Sequence, residues 1–192
     1  MANLRLFVAI ELPAGVLASL NKVQHELQRD PALARLRWTR PEGIHLTLSF
    51  LGTVPEERGG EVEAAVARAV VGVAPFDLGL GKLGTFGGKR APRVLWVDVG
   101  CDRESLTRLH GQLGRELAPL GFPPEERAYS PHLTLARVPP EVSRDVAEPL
   151  ANAVSTLAAP AGSFRAEELA LMKSDLRPGG AVYTQLFAAA LE

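Results

Sequence analysis

The sequence predicts an α+β fold made of two copies of one unit, and three recurrences carry that reading. The tetrad His45-Leu46-Thr47-Leu48 returns letter for letter as His132-Leu133-Thr134-Leu135, an offset of 87. The run Arg5 to Glu11 (RLFVAIE) returns in pattern as Arg93 to Val99 (RVLWVDV), an offset of 88, and Phe76 and Phe164 open two further strand-like runs at that same offset. Self-similarity at a fixed period marks a duplicated unit. Residues 1–192 are therefore expected to form a single bilobal domain, with repeat halves of approximately 1–88 and 89–192.

The elements follow in order. Arg5 to Glu11 is an apolar, β-branched run that reads as a strand. Val16, Leu20, Val23 and Leu27 then recur at helical spacing, as do Leu106, Leu109, Leu113 and Leu117 after the matching strand of the second half. Each HLTL tetrad alternates polar and apolar residues, the period of a half-buried strand. Pro55-Glu56 and Pro140-Glu141 are helix-start signals. They lead into the stripes Val62, Val66, Ala69, Val70 and Val146, Leu150, Val154, Leu157. Each half thus reads strand, helix, strand, helix, strand. Between the halves, Gly84 to Pro92 holds four breakers and reads as a hairpin loop rather than a flexible linker. A last strand-like run, Ala181 to Ala188, follows the turn signal Pro178-Gly179-Gly180 and has no counterpart in the first half.

Composition narrows the function classes. With 46% hydrophobic residues the chain has material for a real core, and a net charge of −1 lacks the basic footprint of proteins that hold long polyanions. A lone cysteine, Cys101, excludes an internal disulfide framework and a multi-cysteine zinc site, which points to the cytoplasm. The apolar stretch near Met1 is short and interrupted by Glu11, and no window is long enough to span a bilayer, so neither a secretion signal nor a membrane partner is expected. A monomer is the expected state.

Chemistry concentrates in the repeated tetrads. On a strand, alternate residues share a face, so His45 and Thr47 point one way, with Cβ atoms about 6.6 to 7 Å apart, while Leu46 and Leu48 point into the core. The second tetrad does the same with His132 and Thr134. If approximate two-fold symmetry relates the halves, two imidazoles and two hydroxyls line one cleft. Such a set suits phosphate ester cleavage, where one imidazole takes a proton from the attacking oxygen and the other gives one to the leaving oxygen. The expected rate profile is a bell with limbs on either side of neutrality. Arg137 adds a forked cation suited to phosphate. Its odd spacing from His132 requires a bulge or strand end near Ala136 to turn it to the same face.

Competing uses of these residues fit less well. Neither tetrad carries a carboxylate or thiolate at metal-ligand spacing, so no metal and no cofactor is expected. No Gly-x-Ser-x-Gly elbow accompanies Ser130, and Gly79-x-Gly81-x-x-Gly84 lacks the strand-to-helix context of a dinucleotide site. His25 lies off its apolar stripe and reads as solvated. His110, beside the stripe of Leu106, Leu109 and Leu113, reads as a boundary residue. Tyr129 and Phe50 flank the tetrads and could stack on a nucleobase, although Phe50 reads first as core. Lys89 and Arg90 are candidates for a flanking phosphate or simply a solvated loop tip.

Taken together, RLFVAI near Arg5, WTRPEGIHLTLSFLG from Trp38 to Gly52, PRVLW from Pro92 to Trp96, SPHLTLAR from Ser130 to Arg137 and the stretch from Lys173 to Tyr183 resemble one family across nearly the whole chain. It is the RNA 2′,3′-cyclic phosphodiesterases, also called 2′-5′ RNA ligases, of the two-histidine phosphoesterase superfamily. The resemblance implies two lobes, each an antiparallel sheet backed by helices, around a central cleft; spacing leaves open how strands are shared between them. It further implies that His45 protonates the departing 3′ oxygen, that His132 activates water, and that Thr47, Thr134 and Arg137 hold the phosphate. The implied substrate is RNA ending in a 2′,3′-cyclic phosphate, tRNA fragments among the candidates. The implied product carries a 2′-phosphate, and the reverse step would make a 2′-5′ bond. Two alternatives remain at this level: a phosphodiesterase for small nucleotides such as ADP-ribose cyclic phosphate, and a non-catalytic module that binds RNA ends.

Overall fold

The computed structural model describes residues 2–124, 127–177 and 180–192. Among them the chain forms, in order, β1 (Asn3–Ile10), α1 (Ala14–Leu27), β2 (Arg37–Trp38), β3 (Leu46–Pro55), α2 (Gly59–Ala69), β4 (Phe76–Gly88), β5 (Ala91–Cys101), α3 (Arg103–Leu117), β6 (His132–Arg137), α4 (Ala147–Thr156), β7 (Ser163–Ala166), β8 (Glu168–Arg177) and β9 (Gly180–Ala190). The fold class is the expected one: two antiparallel sheets backed by helices. One sheet has the order β3-β1-β8-β9 and the other β2-β6-β5-β4-β7. Of the turn signal before β9, Pro178 and Gly179 lie outside the described residues.

Strand membership answers what spacing left open. β4, from the first half, sits in the sheet of β5 and β6, while β8, from the second half, sits beside β1. Counting the short β2 beside β6 and the last strand β9 beside β8, each half gives two strands to the other's sheet. α2 packs on β8 and β9, and α4 on β4 and β5. One apolar cluster joins both sheets and their helices, including Leu6, Leu20, Leu46, Leu95, Leu106 and Leu133. The four leucines of the α3 stripe are fully buried, each contributing about 2 kcal/mol by removal from water.

The Gly-rich segment between the halves is a hairpin. Gly88 faces Ala91, leaving Lys89 and Arg90 at an exposed tip. Its glycines sit mostly within β4 rather than in a loop. Gly84 faces Trp96, and a Cβ there would overlap the indole ring, so only glycine lets the strands pair with the tryptophan in place.

Candidate active site

Both tetrads carry their histidines at strand starts: His45 immediately precedes β3, and His132 opens β6. In each, the leucines are buried and the His and Thr side chains are partly exposed. All four polar side chains line one cavity of about 450 Å³, together with Arg137, Tyr129 and Phe50.

A matched pair of bulges shapes this wall. Val8 pairs with Ser49 and Ala9 with Thr47, so Leu48 is an extra residue in β3. Leu95 pairs with Ala136 and Trp96 with Thr134, so Leu135 is the extra residue in β6. The two bulged leucines stand at the repeat offset. An extra residue reverses the alternation that follows. In β6 this turns Arg137 to the cavity, meeting the condition its odd spacing imposed. In β3 the same device acts on Phe50, the positional counterpart of Arg137. Phe50 is 55% exposed and tilts against Phe7 at 5.7 Å, instead of entering the core as strand alternation suggested.

The β6 bulge is tied down from α1. The Leu135 carbonyl accepts from the Thr39 backbone N–H at 2.9 Å and from Gln24 Nε2 at 3.0 Å, and the same Gln24 amide donates to the Thr39 carbonyl at 2.8 Å. Gln24 is buried on the face that sequence periodicity assigned to Val23, which is only partly buried. Its apolar-stripe position hid a polar role.

The two histidines share one device and differ in burial. His132 Nδ1 lies 2.7 Å from the Ser130 carbonyl, two residues back. That contact requires Nδ1 to carry the proton and leaves Nε2 as the free nitrogen of the neutral ring. His45 makes the matching bond to the Gly43 backbone, also two residues back. His45, however, stacks on Phe7 at 4.6 Å and meets the edge of Tyr183 at 5.0 Å. Burial among these rings lowers its pKa from 6.5 to about 4, the Gly43 bond opposing only part of the effect. In the ligand-free protein His45 is therefore neutral at pH 7.

Other expected residues fall in distinct places. The Tyr129 hydroxyl donates to the Thr47 carbonyl at 3.0 Å, and its ring lies flat on His110 at 4.0 Å. Burial pushes its hydroxyl pKa upward. Tyr129 thus brackets the first tetrad against α3. His110, read as a boundary residue, lines the cavity. Its place at the edge of the α3 stripe is legible, but what it faces depends on the neighbouring sheet. His25 is exposed on α1, and Lys89 and Arg90 stand at the hairpin tip rather than on the cavity wall. Arg127, unremarked in the sequence, also lines the cavity. Among the described residues no group of three or more His, Cys, Asp or Glu side chains could hold a metal ion. No described helix is long and apolar enough to cross a membrane.

Comparison with known proteins agrees with this architecture. The chain is 33% identical over 184 residues to the RNA 2′,3′-cyclic phosphodiesterase of Methanothermobacter thermautotrophicus, covering 96% of this chain and 97% of the relative. It is 30% identical over 189 residues to the enzyme of the same name from Thermotoga maritima, covering 98% and 96%. Among solved structures, E. coli LigT complexed with 3′-AMP superposes with a TM-score of 0.79 at 28% identity, covering 99% of both chains. The sequence profile of the 2′-5′ RNA ligase superfamily matches residues 16–178. The chain belongs to the 2′-5′ RNA ligase superfamily.

Proposed function

We propose that this protein is an RNA 2′,3′-cyclic 3′-phosphodiesterase, which opens the cyclic phosphate at an RNA end to leave a 2′-phosphate. The observation that carries the reading is the convergence of both His-x-Thr strands and Arg137 on one cavity. In hydrolysis, water attacks phosphorus and the bond from phosphorus to the 3′ oxygen breaks. His132 takes the proton from water through Nε2, which the Ser130 contact leaves unprotonated. His45 gives a proton to the departing 3′ oxygen. Thr47, Thr134 and Arg137 hold the non-bridging oxygens, whose charge grows in the transition state. Run backwards, the same groups would join a 5′-hydroxyl to the cyclic phosphate as a 2′-5′ bond.

The low pKa of His45 adds one requirement. A neutral imidazole cannot act as an acid, so His45 must take up a proton from solvent as the substrate binds. The phosphate's negative charge beside the buried ring favours the imidazolium and raises its pKa on binding. Phobic burial thus keeps His45 uncharged until an anion enters. Phe50, exposed where Arg137 stands in the other tetrad, offers a face for the terminal base.

In this reading residues 1–192 act as one bilobal unit, each half supplying one tetrad, and the protein works as a monomer. The lone thiol, exposed Cys101, suits a reducing compartment such as the cytoplasm. tRNA fragments with cyclic ends are included among its substrates. The two histidines do the proton transfers without a metal or cofactor. Incubation with an RNA ending in a 2′,3′-cyclic phosphate, in excess chelator, should yield a 2′-phosphate end. A 3′-phosphate product, or turnover that returns only on adding a metal, would overturn the assignment.

A further inference from the structure

Helix α3 does more than close the core. At about 100° per residue, its buried leucines occupy one side, and His110 and Gly114 come next around the axis. These two line the cavity. Thr107, Gly111, Arg115 and Arg108 follow, and with Arg103 and Glu104 they line an open groove on the outer side of the helix. The groove begins where the cavity wall ends.

Its lining is rich in arginine. Arg103, Arg108 and Arg115 are exposed there against one carboxylate, Glu104. Arg103 is held to Asp98 at 2.6 Å. Arg108 and Arg115 make no salt bridge within the described residues, although Asp102 feels the charge of Arg108. Asp98, Asp102 and Glu104 thus match the three arginines in number, while Arg108 and Arg115 keep unbridged guanidiniums among the described residues.

The second observation is steric. Gly111 and Gly114 sit inside a helix, where each costs about 1 kcal/mol relative to alanine. Packing does not demand them. A Cβ at Gly111 would meet nothing nearer than Arg115 Nη1 at 3.8 Å, and one at Gly114 nothing nearer than Pro124 Cβ at 3.5 Å. The strip of helix surface between cavity and arginines is therefore low, with only the Arg115 guanidinium over Gly111 and Pro124 over Gly114 where a bound chain would pass.

We propose that this strip is the track for the RNA strand leading into the cavity, with Arg108 and Arg115 holding its backbone phosphates as it crosses Gly114 and Gly111. The proposal rests on the phosphodiesterase reading and deepens it, making the preferred substrate an oligonucleotide rather than a mononucleotide. The test compares the wild type with an Arg108→Glu/Arg115→Glu double variant. Binding of a short 3′-phosphorylated RNA and of 3′-AMP is measured at several salt concentrations, alongside turnover of the corresponding 2′,3′-cyclic phosphates. The double variant should bind the oligonucleotide about tenfold or more weakly, with its log-log salt slope reduced by about 1.4, two single-strand phosphate contacts. Binding of 3′-AMP and turnover of the mononucleotide should stay unchanged, and Arg108→Lys/Arg115→Lys should keep most of the salt slope. Oligonucleotide binding within twofold of wild type, or equal losses on both ligands, would refute the track. A wild type that turns over neither cyclic phosphate would instead sink the phosphodiesterase reading, while the binding comparison still decides the track.

Discussion

Replacing His45 with phenylalanine should change how the stability of this protein depends on pH, by an amount that follows from the burial of the ring. The imidazole stacks on Phe7 and meets Tyr183, and its folded pKa is about 4 against 6.5 for the free side chain. A histidine depressed in this way is neutral when folded, so the unfolded state binds more protons between those two values. Stability contributed by the neutral ring is fully present above pH 6.5, falls as pH drops toward 4, and changes no further below that. The full difference is about 3 kcal/mol, most of which is lost by pH 4.5. Phenylalanine has no proton to take up, yet can occupy the same aromatic stack. From pH 7 to pH 4.5 the wild type should therefore lose about 2 to 3 kcal/mol more than His45→Phe, read as urea midpoints or as an extra fall of roughly 5 to 10 °C in Tm. All other titrating groups are common to both proteins and cancel. Parallel loss of stability in the two would show that His45 is not desolvated, and the account of proton uptake on substrate binding would fail with it.

Three further expectations follow. If an anion recharges His45, binding of 3′-AMP at pH 7 should take up protons, seen as a binding heat that varies with the ionisation enthalpy of the buffer; His45→Phe should abolish most of that uptake. Gln24→Leu should cost about 1 to 3 kcal/mol, because the Leu135 and Thr39 carbonyls lose a buried donor, and should raise KM more than it lowers kcat as the bulge carrying Arg137 loosens. Phe50→Ala should leave folding stability within about 0.5 kcal/mol, since the ring is 55% exposed, while weakening nucleotide binding by roughly 1 to 3 kcal/mol if a base stacks there. Unchanged affinity would remove Phe50 from the site.

Much of this was legible before any coordinates. Two identical tetrads at the repeat offset name the strands, the buried leucines and the four polar side chains of the cavity, because strand alternation is a local property. Arg137 was legible as a problem, since its spacing required a bulge, and Leu135 supplies one. Phe50 was not, because the matching bulge at Leu48 leaves no mark in composition. Gln24, His110 and Arg127 were missed for a related reason. Gln24 reaches across the boundary between halves to Leu135, and His110 and Arg127 line a cavity that residues of both halves build, which depends on strands changing sheets. The burial of His45 also needed structure: Tyr183 reaches it from β9, the strand without a counterpart in the first half.

The division of labour between the histidines is the centre of this account, and a leaving-group experiment tests it most directly. His45→Ala and His132→Ala should each lower turnover of an RNA 2′,3′-cyclic phosphate by roughly two to four orders of magnitude, with His25→Ala as an unaffected control. Their double variant should lose much less than the product of the two, since they act as a unit. A cyclic phosphate analogue whose leaving oxygen has a low pKa needs no proton to depart. With that analogue His45→Ala should recover most of its lost activity while His132→Ala stays crippled. The reverse pattern would exchange the two roles, and equal rescue of both would show that neither histidine has the dedicated task given to it here.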